Sequence, residues 1–228
     1  NFLQSLLPNA YYRKRRRYWL SKAEQYSKEA IEDRVNYYNK LNCEIEIDTY
    51  AKPISSLSRP KRGVTYYFDL TKVTRYFVST FKINFKFGDI TDLQQKATIV
   101  KSRPICNSDL SILLKLNAIR HYNFVKNDKK FRDKKNKVVW RGVIHKENRR
   151  TLVEKFVDHP LCDVGHINRN LPFPLDSKNK LSIKEQLEYK FILSIEGVDV
   201  ATNLKWIMSS NSLCLMPTPK FETWFMEG

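Results

Sequence analysis

Three short stretches place reactive or anion-binding side chains where the chain reverses direction. In FKFGDIT, Gly88 and Asp89 put a carboxylate at the exit of a strand-like run. A carboxylate there can act as a general base, or it can simply close a turn. In KVVWRGVIHKENRR, Arg141 and Gly142 end a short buried-type strand, with Gly142 read as the residue that lets the backbone turn tightly, and Arg149 and Arg150 open the next helix. Guanidinium groups and helix N-termini both favour phosphate oxygens; the alternative is a set of surface charges. In SIEGVDVATN, Gly197 leads into Val198, Asp199, Val200, Ala201, Thr202 and Asn203 between a strand and a helix. Backbone N–H groups in such a loop can cradle a pyrophosphate. With one glycine it is neither a GxGxxG fingerprint nor a Walker A loop.

Other chemistries find less support. His121, His145, His159 and His166 include no HxH or HExxH pair, so no metal site is expected. The cysteines at 43, 106, 162 and 214 form no CxxC pair. Cys43, Cys106 and Cys214 sit among apolar or strand-like residues and read as buried, reduced thiols, which fits a cytoplasmic, reducing compartment. No GxSxG signature or catalytic-cysteine motif occurs.

The elements that would position these residues follow from periodicity. Residues 20–41 read as one helix, capped by Ser21 with Glu24 completing a capping box. It follows the basic run Arg13, Lys14, Arg15, Arg16, Arg17. From 43 to 100 the pattern changes to short strand-like runs: CEIEIDTY, VTYYFDL, TRYFVSTF, INFKFGD and ATIVKSRPI. Residues 108–119 read as a helix. Residues 126–137 hold seven cations and two anions without an apolar stripe, so they read as an exposed linker and domain boundary. LPFPLD, at 171–176, reads as a loop. Beyond residue 137, strand and helix patterns alternate, the signature of a parallel α/β sheet. The expected domains are a basic helical segment (1–42), an α/β domain (43–137) and a second α/β domain (138–228).

Charge sharpens this division. The net charge is +17. Residues 1–137 carry 29 basic and 13 acidic side chains, and residues 138–228 carry 12 and 11. The excess points to an anionic partner: nucleic acid, an acidic membrane or a phosphorylated substrate. With 42% hydrophobic and 13% aromatic residues, wholesale disorder is excluded. No apolar run reaches the 18 residues of a spanning helix. The chain lacks an initiator Met and stops just after an aromatic run, so it reads as a fragment.

Taken together, VVWRG, the downstream arginines, residues 189–217 (YKFILSIEGVDVATNLKWIMSSNSLCLMP) and KFETWFMEG resemble glycosyltransferase family 90, with support from FGDIT and VKSRPI. That family includes capsule-associated and lipopolysaccharide-modifying enzymes and the protein O-glucosyltransferases. The resemblance implies an α/β fold of GT-B type, two Rossmann-like domains, with the second truncated here at its C-terminus. It implies an inverting transfer from a UDP-sugar of glucose or xylose type, without an obligatory metal or other cofactor. Asp89 matches the family's base. Arg141, Gly142 and Arg149 match the residues that contact the nucleotide sugar, as does Arg150 if the loop is aligned one residue differently. Residues 197–203 match the nucleotide loop. Eukaryotic members carry arginine where this chain has Asn203, and Lys205 is the nearby cation that can replace it. Glu222 is assigned to the ribose or to donor orientation, on a loop after a strand of the second domain.

The implied partners are a UDP-sugar, a glycan or lipid-linked glycan acceptor, and an anionic membrane at the inner face of the cytoplasmic membrane, with no nucleic acid. The rival readings are a basic nucleic-acid-binding α/β protein and a catalytically inactive binding module.

Overall fold

The computed structural model describes residues 7–42, 44–45, 49–169 and 177–227. Half of the CEIEIDTY run, Cys43 included, and the LPFPLD segment therefore lie outside the described residues. The chain forms two compact units, Asn1–Ile119 with Lys220–Gly228, and Arg120–Pro219.

In chain order the first unit contains α1 (Asn9–Ala23), α2 (Lys28–Tyr38), β1 (Lys52–Pro53), α3 (Val64–Thr74), β2 (Lys82–Ile83), β3 (Thr98–Val100), β4 (Ser102–Pro104) and β5 (Ser111–Leu113). Helix α4 (Ala118–His121) leads out of it. The second unit contains β6 (Lys135–Gly142), α5 (Glu147–Phe156), β7 (Cys162–His166), α6 (Ile183–Gln186), β8 (Tyr189–Leu193), α7 (Leu204–Met208) and β9 (Leu213–Leu215). Strand β10 (Phe221–Thr223) returns to the first unit and pairs antiparallel with β4.

The division differs from the expected boundary at residue 137 for a local reason. The stretch 126–137 is largely exposed, as expected, but Lys134 within it is buried, and its Nζ donates to both Asp128 carboxylate oxygens, to the Leu187 carbonyl and to Ser212 Oγ. A buried ammonium needs that full set of partners, and they lock the stretch into the second unit.

The second unit carries a four-stranded parallel sheet in the order β7-β6-β8-β9. Its strands are apolar on both faces, as a sheet covered on both sides must be. Val139 and Ile192 pack on one face with Leu187, Trp206 and Ile207. Trp140 and Val164 pack on the other with Ile144, Val153 and Ile195. Full burial of each such side chain contributes roughly 1.5–3 kcal/mol. From β6 the chain passes to β7 on one side, then crosses to β8 on the other. The winding reverses there, so the ligand crevice of this topology lies beyond the carboxyl ends of β6 and β8.

The first unit holds a parallel pair, β3 with β5, extended by a parallel bridge from Phe85 to Ile99. Several expectations are corrected here. VTYYFDL is helical. Tyr66, Asp69, Leu70 and Thr74 are buried at helical spacing, and packing of Tyr66 and Leu70 around Leu116 outweighs the strand preference of the aromatic and β-branched residues. TRYFVSTF begins at the last residue of α3 and then runs on as turn. Residues 108–119 contain β5 instead of a helix, because Ser111–Leu113 pairs with β3. Residues 20–41 form parts of two helices. Ser27, not Ser21, caps the second by accepting from the Ala30 amide at 3.1 Å, while Ser21 donates to the Tyr18 carbonyl. Cys106 is exposed and Cys162 and Cys214 are half-buried, all three as free thiols.

Candidate functional site

The carboxyl ends of β6 and β8 bring three expected residues and one unexpected residue together. Gly142 ends β6. A Cβ there would stand 2.5 Å from Trp140 Cζ2. Glycine is thus demanded by the indole lying alongside, not by a left-handed turn. Among the described glycines the positive φ angles belong to Gly63 and Gly88. The Trp140 ring in turn carries the Arg149 guanidinium, 5.7 Å from its centroid.

Arg149 reaches across from α5. Its Nη1 donates to the Val143 carbonyl at 3.0 Å, Nη2 to Ile195 at 2.8 Å and Nε to Glu196 at 3.2 Å. One side chain therefore ties the loop after β6 to the loop after β8. All of these acceptors are neutral carbonyls, and burial pushes the Arg149 pKa below the ordinary arginine value. A half-buried cation partnered by carbonyls alone keeps its charge available for an anion.

His145 joins this cluster, although nothing in its spacing singled it out. Its Nδ1 lies 3.2 Å from the Val143 carbonyl. A Cβ on Gly197 would stand 3.0 Å from both His145 Nε2 and Arg149 Nη2. The imidazole and the guanidinium thus converge beside Gly197, where the absent side chain leaves room. With Nδ1 at the Val143 carbonyl, Nε2 is the ring nitrogen that lies beside Gly197.

The loop that follows is mostly held inward. Asp199, Val200 and Ala201 are buried, while Val198 and Thr202 are exposed. The Gly197 amide donates to the Asp199 carbonyl. Asn203 closes the loop: its Nδ2 donates to the Leu193 carbonyl at 3.0 Å and its Oδ1 accepts from Ser194 Oγ at 3.1 Å. Lys205 is buried in α7. Arg150 sits on α5 with Glu147 Oε2 3.8 Å away.

Arg141 is directed elsewhere. Its side chain, 7% exposed, donates to the carbonyls of Asn179, Trp140 and Asp163, and Nη2 donates to Asp163 Oδ1 at 2.6 Å. Asp163 on β7 also accepts from the Tyr189 hydroxyl at 2.6 Å. Burial raises the Asp163 pKa, but hydrogen bonds from Tyr189 and Arg141 and the charges of Arg141 and Lys178 outweigh it and hold the carboxyl below its usual range. Burial and the bond to Asp163 push the Tyr189 phenol up to about 12, so it stays a donor. Sequence reasoning missed this hub because its members are far apart along the chain.

Two expected residues lie in the first unit. Asp89 follows Gly88, whose positive φ of 109° is a backbone conformation that favours glycine. Asp89 Oδ1 accepts from Lys101 Nζ at 2.5 Å; the lysine side chain is 1% exposed and the aspartate side chain 40%. One carboxylate oxygen is thus held by a buried cation while the group as a whole remains accessible. Glu222, expected on a loop of the second domain, lies instead on β10. Its Oε1 accepts from Arg103 Nε at 2.7 Å and its Oε2 from the Tyr37 hydroxyl at 2.6 Å. Arg103 is fully buried and also donates to the carbonyls of Tyr37, Tyr38 and Ser111. This cluster fastens the last strand to the first unit. Among the described residues, no group of three or more His, Cys, Asp and Glu side chains has the arrangement of a metal site, and no helix is long and apolar enough to cross a membrane.

Comparison with known proteins bears on both units. The model of Glycosyl transferase family 90 matches residues 114–228. The O-glucosyltransferase LpsA of Dichelobacter nodosus is 46% identical over 200 residues, which cover 87% of this chain and 63% of that protein. The chain thus spans less than two thirds of that relative's length.

Proposed function

The chain belongs to glycosyltransferase family 90, and we propose that it transfers a sugar, with inversion, from a UDP-sugar to a lipopolysaccharide, capsule or related glycan. The observation that carries this reading is Arg149, a half-buried cation whose hydrogen bonds, among the described residues, all go to carbonyls beyond the ends of β6 and β8. The name of the Dichelobacter relative favours glucose as the transferred sugar. The fold we propose for the whole protein is the GT-B pairing of two Rossmann-like domains, and the three-layered second unit supports the nucleotide half of it.

In this mechanism the second unit holds the donor. Arg149 and His145 face the diphosphate beside Gly197, with Val198 and Thr202 exposed on the adjoining loop. Arg141 acts as a positioning residue, fixing the end of β6 through Asp163. Asp89 supplies the base. The acceptor oxygen attacks the anomeric carbon from the face opposite UDP, and its proton passes to the Asp89 carboxylate. The bond from the anomeric carbon to the phosphate oxygen breaks, and its electron pair leaves with UDP. Arg149 stabilises the charge that develops there, as preorganised cations do in a partly desolvated site. Lys101 holds one Asp89 oxygen and so orients the base. The basic excess of residues 1–137 suits peripheral contact with an anionic membrane bearing a lipid-linked acceptor.

A panel of UDP-sugars tests this reading. UDP release from UDP-glucose or UDP-xylose, abolished by Arg149→Met, is the expected result. Release from no donor, with the protein folded, would contradict it.

A further inference from the structure

The first unit carries an apolar groove of about 550 Å3, within the ~300–1,000 Å3 range of small-molecule sites. Val73, Phe77, Phe81, Ile83, Ile112 and Leu114 line it, together with the exposed Lys82. Phe77 and Phe81 are 42% and 55% exposed. Aromatic side chains of this size, gathered at the mouth of an apolar groove, mark a surface built to meet something non-aqueous.

Helix α1 identifies the partner's chemistry. It carries six cations and no anion. Its Tyr12 ring packs edge-on against Tyr76, with 5.4 Å between centroids, and Trp19 Nε1 donates to the Tyr76 hydroxyl at 3.1 Å. These contacts dock the helix beside the groove. Arg16 then lies over the Phe77 ring, 5.6 Å from its centroid, so a cation borders a residue that lines the groove. Tyr18, Trp19 and Leu20 stay exposed on the same helix. An apolar slot edged by cations and flanked by interfacial aromatics is complementary to an anionic amphiphile.

We propose that this groove takes one acyl chain of an anionic membrane lipid, with Arg16 and Lys82 meeting the headgroup phosphate. The inference deepens the membrane contact of the proposed function by giving it a defined site, and it stands independently of donor binding. The chain enters between Phe77 and Phe81. Trp19 and Tyr18 then lie at the level of the headgroups.

Vesicle co-sedimentation of the whole protein tests this, comparing phosphatidylglycerol–phosphatidylcholine mixtures with phosphatidylcholine alone. Fluorescence quenching by brominated acyl chains, with a Trp19→Phe control, reports depth. Phe77→Ser with Phe81→Ser changes two exposed side chains and leaves the core intact. The expected result is salt-sensitive binding to the anionic vesicles alone, at least tenfold weaker in the double-serine variant and in Arg16→Ser with Lys82→Ser. Quenching should disappear in Trp19→Phe. Unchanged binding in the double-serine variant would overturn the groove, leaving only surface electrostatics. Equal binding to neutral vesicles would overturn the headgroup assignment. Concentration-dependent dimers that the double-serine variant abolishes, with no vesicle binding, would assign the groove to a second copy of the chain. A parallel UDP titration separates the two readings: loss of UDP binding with intact vesicle binding counts against the transferase alone.

Discussion

Replacing Arg149 by Met removes the guanidinium while keeping most of the stem that lies over Trp140. Three charge-assisted hydrogen bonds are lost, two of them partly buried, to Ile195 and Glu196, and one exposed, to Val143. Hydrogen bonds from charged groups contribute roughly 1.5–3 kcal/mol each. Taking the low end for the two buried ones and little for the exposed one, the stability loss is about 3 kcal/mol. The loss in ligand binding should be separate and of similar size. Truncating one partner of a desolvated, hydrogen-bonded charge pair costs about 2–5 kcal/mol, or roughly 30-fold to several-thousand-fold in UDP affinity. Arg149→Lys keeps the charge but cannot span three carbonyls in two loops, so it should fall between wild type and Met. Calorimetric titration with UDP, at a temperature where circular dichroism shows all three proteins folded, measures both. A folded Met variant that binds UDP within about threefold of wild type would refute the assignment of Arg149 to the diphosphate.

Two further outcomes are expected. Gly142→Ala forces a methyl group to within 2.5 Å of the Trp140 ring; overpacking of this kind costs ~1–3 kcal/mol, measurable by urea unfolding, and displaces the ring on which Arg149 rests. The Asp163 carboxyl is held below its ordinary value of 3.8 in the folded protein. The unfolded chain therefore binds the proton first as pH falls, so this stabilisation is complete above about pH 4 and is lost as pH drops through the folded value. Asp163→Asn should flatten that acid limb of the stability–pH curve while lowering stability at neutral pH by about 3–5 kcal/mol, because Arg141 stays charged and buried.

The second unit was legible in the sequence because its signals are local and agree with one another. VVWRG and FILSIEG are short, apolar on both faces and separated by helical periods, and the sheet built from them is parallel. The first unit was less legible, because burial there runs against propensity. Val64–Thr74 is rich in strand formers yet folds as a helix, since Tyr66, Leu70 and Thr74 share one buried face. Ser111–Leu113 lies in a stretch whose pattern reads as helical yet pairs with β3, a long-range choice that no window of local sequence contains. The candidate site divided in the same way. Arg149 and Gly197 were already candidates in the sequence, whereas His145 meets them only through contacts across two loops. The sequence showed that Arg141 was a cation, but not that Asp163, 22 residues away, would claim it.

The central claim, that this chain's residues carry an inverting sugar transfer with Asp89 as base, is tested most directly by acceptor-dependent UDP release from wild type and Asp89→Asn, each first shown to bind UDP. Removing a general base typically costs ~10²–10⁴-fold in rate. The account predicts a loss of that size in Asp89→Asn with UDP affinity unchanged, since Asp89 lies in the first unit and Arg149 in the second. Transfer by Asp89→Asn at near wild-type rate would contradict it.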